Sequence, residues 1–317
     1  MDKSSLDPKV VELIIKLEQK YAVMGQDLTS YLDGLLHSDY LTYWDYIHLD
    51  TLLSLQNPKT HFPDERIFIL YHQITELYFR LILMEIEQAA FDNKPTEKMF
   101  IMRLDRIIRY FRHLEDSFMI MIDGMEKEQF LSFRMALLPA SGFQSAQYRI
   151  IELCSTDLIN LVAVDNRTEM GSESDIEKLV DKLYWRQGAT ELKSGKKTLT
   201  LQQFEQKYGK EFLETGIKYK DVNLRKVFTK HFSNSRKVID RLREYDTLAN
   251  VLWPLAHLKA TARYLQKDPA DIKATGGTNW QKYLPPRFQK VMFYPELWSE
   301  QEKADWGKAA VIKALDL

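Results

Sequence analysis

Long stretches of this 317-residue chain run without glycine or proline, with apolar residues returning every three or four positions. Only 12 glycines and 10 prolines occur in the whole sequence. These residues are the strongest local punctuators of a backbone, and a sheet of many short strands needs them at its turns. The pattern therefore predicts an all-α fold. Residues 8–36 keep helical spacing behind an Asp7-Pro8 start signal. A short helix is expected within 41–55, and Asn57-Pro58 and Phe62-Pro63 mark the loop after it. Residues 64–90 are strongly periodic and open with Asp64 and Glu65, acids that suit the positive end of a helix dipole. Residues 97–122 read likewise; a short helix at 128–138 ends before Pro139, and another spans about 143–154. The stretch 165–200 is more polar, carries Gly171, Gly188 and Gly195, and reads as an excursion or lid. Residues 220–267 read as one helix interrupted by Pro254, which should kink it one turn before His257. A loop with Gly276-Gly277 and a helix from about 298 complete a single domain over 1–317.

Composition narrows the function. With a formal net charge of -1 there is no broad basic field, so nucleic acid is not an expected partner. One cysteine, Cys154, excludes a disulfide framework and a cysteine-rich zinc site, and a lone thiol suits a reducing cytoplasm. The N-terminus has no apolar leader, and no apolar run reaches the roughly 18 residues of a membrane span.

Three blocks stand out against this background. His72 lies in FILYHQITELYFRLILMEIEQ, where Phe68, His72, Thr75, Glu76 and Phe79 fall on one helical face. His257 lies in VLWPLAHLKATARYL, four residues after Trp253 and six before Arg263. Arg134 lies between Phe130, Phe133 and Leu137 in FLSFRMALLPASGFQSAQYR. Each has a plain reading: a satisfied core histidine, or an arginine paired with a protein acid. Each also has a functional one. A neutral imidazole can bind haem iron, a nearby arginine can pair with a propionate, and a buried guanidinium can wait for a substrate carboxylate.

Taken in order, these blocks resemble the tryptophan 2,3-dioxygenase family. TYWDYIHLDTLLSLQ at 42–56, DERIFILYHQITELYF at 64–79 and FLSFRMALLPASGFQSAQYR at 130–149 are similar to its conserved blocks. Trp253, His257 and Arg263 keep its W-x-x-x-H-x-x-x-x-x-R pattern, and TGGT at 275–278 stands where the family has a G-T-G-G-S loop. Ala274 replaces the first glycine of that loop, and Pro254 stands where the family has arginine.

The resemblance implies an all-α, tetrameric haem b enzyme that opens the indole ring of L-tryptophan with O2. It implies that His257 is the haem ligand, with Trp253, Arg263, Ser141 and Gly142 bordering the cofactor. His72 would hydrogen-bond the indole N–H, Phe68 and Phe130 would wall the pocket, and Arg134 would pair with the substrate carboxylate. Thr275 would meet the amino acid's polar end, and Tyr43 and Tyr46 would reach a neighbouring subunit's site. Two other readings stay open at this point. One is a monooxygenase of an indole or related aromatic amino acid, which the altered 274–280 loop motivates. The other is a non-catalytic haem or amino-acid sensor.

Overall fold

The computed structural model describes residues 6–38, 41–137, 142–167, 169–171, 175–188, 196–265, 289–308 and 310. The described residues are mostly helical, and an isolated antiparallel bridge pairs Val162 with Leu183. Their contacts divide the chain into two compact units, residues 1–57 and 58–317.

The first unit holds α1 (Pro8–Val23), α2 (Leu28–Leu36), α3 (Tyr43–Tyr46) and α4 (Leu49–Leu53). The helix expected over 8–36 is two helices. Gly25 adopts φ +65, a left-handed conformation that ends α1, and the Asp27 carboxylate restarts the chain by accepting from the Thr29 and Ser30 amides. α1 buries none of its residues and α2 buries only Leu28, so apolar side chains here face outward.

The second unit opens with α5 (Asp64–Ala90), α6 (Glu97–Ser117), α7 (Met119–Ile122), α8 (Lys127–Phe133) and α9 (Ala146–Ser155). Short helices α10 (Val164–Arg167), α11 (Ile176–Asp181) and α12 (Tyr184–Gly188) lead to α13 (Leu199–Tyr219). Then follow α14 (Leu224–His231), α15 (Arg236–Thr247), α16 (Trp253–Leu265) and α17 (Glu300–Ala304). α5 packs on α6 and α9, α6 on α15, and α9 on α13. The core between them contains Phe79, Ile82, Ile86, Leu104, Ile107 and Leu242. Glu85 is buried on α5 between Arg106 at 3.0 Å and Arg103 at 3.6 Å, both on α6.

By length and composition alone α5 could cross a membrane, with a mean hydropathy of 1.3 in its most apolar window, contrary to the expectation that no such run exists. Only two charges, Glu76 and Arg80, interrupt its middle. Its inward face nevertheless carries core residues and the paired Glu85.

The helix expected over 220–267 is broken twice. Asn223 and Ser235 cap α14 and α15 by accepting from the Lys226 and Val238 amides, which places a boundary between those two helices. Near Pro254 the chain forms a π turn, Leu248–Leu252, where a kink was expected. α13 is an unforeseen helix. The described part of 165–200 is packed, with Leu179, Val180, Leu183 and Trp185 buried.

Glu65 fixes the entry to α5. Its buried carboxylate accepts from the Lys59 amide at 2.6 Å and the Thr60 amide at 2.7 Å. Burial alone would raise its pKa, but the hydrogen bonds from Thr60 and Lys59 overcome this and hold it below the ordinary 4.5. A depressed carboxylate contributes stability that is present above pH 4.5 and lost as pH falls through the folded value. Glu65→Gln is expected to cost about 1–3 kcal/mol at pH 7. In urea unfolding followed across pH, the gap between variant and parent should narrow as pH falls below 4.5.

Candidate active site

α5 presents Phe68 and His72 one turn apart. The His72 Nδ1 lies 2.7 Å from the Phe68 carbonyl, which can only accept, so Nδ1 carries the proton and Nε2 keeps its lone pair. The Phe68 ring lies 4.1 Å from the imidazole between centroids. His72 is solvent-accessible, yet its surroundings are dense enough to lower its pKa. Loss of solvation is the main cause, opposed by the Phe68 carbonyl and the charge of Glu76. Glu76 is itself held by α9, whose Gln147 amide nitrogen donates to the Glu76 carbonyl at 2.8 Å and carboxylate at 2.9 Å.

α16 repeats the device. His257 Nδ1 donates to the Trp253 carbonyl at 3.1 Å, again four residues back, so Nε2 is the nitrogen that keeps its lone pair. Burial lowers its pKa to about 4; the Trp253 carbonyl opposes this, while the charges of His72 and Arg149 add to it. A charge on His72 would thus disfavour one on His257, and the lowered values keep both imidazoles neutral at physiological pH.

Aromatic rings join them. Phe118 lies 4.5 Å from His257, 5.2 Å from Trp253 and 5.7 Å from Tyr71, which is edge-on to His72 at 6.2 Å. Trp253 stands edge-on to His257 at 4.5 Å. On the His72 side, Phe68 meets Phe130 at 6.3 Å and Phe133 at 5.9 Å. Phe130 packs on Tyr264 at 4.5 Å, and the buried Tyr264 hydroxyl donates to the Ile122 carbonyl at 3.1 Å. Arg134 begins the 3-10 turn that follows α8, one turn after Phe130; it is half-buried, and burial lowers its pKa.

The second unit thus brings together Phe68, His72, Phe130, Trp253 and His257. Arg263 pairs with Asp123 at 3.0 Å, both half exposed. Gly142 begins a 3-10 turn before α9, whereas Ser141 and Thr275 lie outside the described residues. Tyr43 and Tyr46 belong to the first unit and are exposed. Sequence reasoning missed Phe118, Tyr264 and Tyr148. Phe118 had one signal, since it lies four residues past Leu114 on the apolar face of α6.

These features define a helical protein with two neutral histidines in one aromatic-lined region. The tryptophan 2,3-dioxygenase family model matches residues 35–197, more than half of the chain. The chain belongs to the tryptophan 2,3-dioxygenase family. It is 42% identical over 117 residues to a tryptophan 2,3-dioxygenase of Ruegeria sp. (strain TM1040), covering 36% of this chain and 41% of that protein. It is 38% identical over 118 residues to that of Ruegeria pomeroyi, covering 35% and 41%. It is 39% identical over 124 residues to that of Sorangium cellulosum, covering 36% and 30%. The chain thus spans less than half the length of these relatives. The family match includes His72 and Arg134 and ends before His257.

Phe118 fills the space between the two histidine-bearing helices and is 5% exposed. Phe118→Ala should cost about 3–5 kcal/mol in equilibrium unfolding. Phe118→Leu should cost less than about 2 kcal/mol, because it keeps most of the volume.

Proposed function

We propose that the protein is a haem-dependent dioxygenase that opens the indole ring of L-tryptophan with O2 to give N-formylkynurenine. The observation that carries this reading is the pair of neutral imidazoles, each with Nδ1 committed to its own helix and the lone pair on Nε2. Among the described residues no group of three His, Cys, Asp or Glu side chains gathers to chelate a bare ion. A single neutral imidazole set among aromatic rings instead suits a residue that would hold haem iron. His257 would hold haem b through Nε2, with Trp253, Gly142 and Ser141 beside it, and the group would supply the iron that activates O2.

The chain's own residues supply the rest. Phe68 and Phe130 offer faces to a flat apolar indole. His72 Nε2 can accept from the indole N–H. Arg134 follows Phe130 by four residues, so ring wall and carboxylate clamp would come from two adjoining elements, α8 and the 3-10 turn after it. Thr275 would meet the substrate's polar end. Arg263 would leave Asp123 to serve a propionate, and an exposed ion pair of this kind holds by no more than about 1 kcal/mol.

Assembly is part of the same proposal. Leu70, Ile74, Leu77, Leu81 and Met84 are exposed along one face of α5, which supports a homotetramer. In it Tyr43 and Tyr46 would complete a neighbour's site. A cytoplasmic location suits the single buried thiol, Cys154.

The His72 environment favours orientation over proton removal. Its pKa is lowered, which weakens it as a base. A general base contributes about 10²–10⁴-fold. A net hydrogen bond contributes about 0.5–1.5 kcal/mol, roughly tenfold. His72→Ala should therefore lower turnover about tenfold. The variant should also act on 1-methyltryptophan, which has no N–H to lose, in the space the imidazole vacates. A loss of about 10⁴-fold with 1-methyltryptophan inert would assign His72 as an obligatory base instead.

Tryptamine lacks the carboxylate assigned to Arg134. It should bind weaker than tryptophan by about 3–5 kcal/mol in calorimetric titration of the ferrous protein. Equal affinities would remove Arg134 from the site.

A further inference from the structure

The helix that presents His257 is not α-helical upstream. Leu248–Leu252 form a π turn between α15 and α16, and the Trp253 amide donates to the Leu248 carbonyl, five residues back. In that register the next bond would run from residue 254 to the Ala249 carbonyl. Residue 254 is proline, which has no N–H. Ala249 is fully buried, so no solvent can replace the missing donor. A side chain from another helix does so: the Tyr148 hydroxyl of α9 donates to the Ala249 carbonyl at 2.8 Å. Tyr148 is 6% exposed. Its ring packs 5.3 Å from Phe79, which meets Trp253 edge-on at 5.8 Å. The same helical turn is held from its other side, where the Asn250 amide nitrogen donates to the buried Asp246 carboxylate at 2.8 Å.

We propose that Tyr148 is a positioning residue whose hydroxyl supplies the hydrogen bond that Pro254 cannot, fixing the π turn and with it the direction of His257 Nε2. A π turn accommodates one extra residue, and one residue of α-helix corresponds to about 100° of rotation. A change of register at 248–252 would therefore swing His257 relative to the α15 face packed on α6. The inference rests on His257 as the haem ligand, and two readouts separate its failure from the failure of that reading.

The test is a cycle of Tyr148→Phe, Pro254→Ala and the double variant in the full chain. Pro254→Ala restores an N–H at that position. In the haem-loaded protein, Tyr148→Phe alone should weaken haem affinity about tenfold. It should also shift the ferrous iron–histidine stretch in resonance Raman spectra. In the Pro254→Ala background the same change should weaken affinity less than about twofold and leave the stretch in place. Equal effects in both backgrounds, or none in either, would overturn the proposal. The haem-free protein gives the second readout. There Tyr148→Phe should lower the unfolding midpoint by about 2–4 °C with Pro254 present and by less than half of that in the Pro254→Ala background. An equal lowering would overturn the proposal whether or not the parent protein takes up haem. A parent that takes up no haem but shows the unequal lowering would overturn only the ligand reading.

Discussion

A carbonyl four residues back governs this site. In an α-helix that carbonyl normally serves the helix alone, but it has a second lone pair, and both His72 and His257 use it. The bond selects one tautomer, locks the ring against its own helix and turns Nε2 away from the backbone. Burial then keeps His257 neutral, since a charged imidazole there would lack both water and an anion. Two opposed requirements are met together: the nitrogen stays available as a lone-pair donor, and the ring is fixed by a carbonyl of its own helix.

The packing follows from those ring positions. Phe118 sits at the boundary between α6 and α7 and reaches both Trp253 and His257, so the helix break serves the aromatic wall. Gln147 and Tyr148 of α9 act in opposite directions. Gln147 holds Glu76 near His72, and Tyr148 holds the turn before His257. Deeper on α9, Arg149 and Glu152 form a buried pair at 2.9 Å, with the Tyr184 hydroxyl donating to Glu152 at 2.6 Å. The charge of Arg149 reaches His257 and further disfavours its protonation. One ten-residue helix thus buttresses both histidines.

Legibility in the sequence depended on how local the cause was. α5 was readable to its ends because periodicity and the Asp64-Glu65 turn are local signals. The all-α class followed from scarce punctuation. The break at Gly25 was missed because apolar spacing continues through it, although the Asp27 cap is visible in retrospect. α13 was missed because Gln, Lys and Glu fill most of its surface and mask the spacing of Leu201, Phe204 and Phe212. Pro254 was read as a disturbance of the helix, whereas the π turn beside it was not foreseen. The hydroxyl that reaches the Ala249 carbonyl in that turn belongs to Tyr148, 101 residues away in sequence. His72, His257, Phe68 and Phe130 were legible as residues in apolar helical blocks. Their convergence depends on tertiary packing that spacing cannot express, as does the pairing of Arg263 with Asp123.

The fate of the oxygen atoms tests the account most directly. The haem-loaded protein, reduced and mixed with L-tryptophan, is exposed to ¹⁸O₂ and the product is weighed at once by mass spectrometry. The account predicts N-formylkynurenine carrying both labelled atoms. A product with a single labelled oxygen on an intact indole, or recovery of unchanged tryptophan from protein with full haem occupancy, would contradict it.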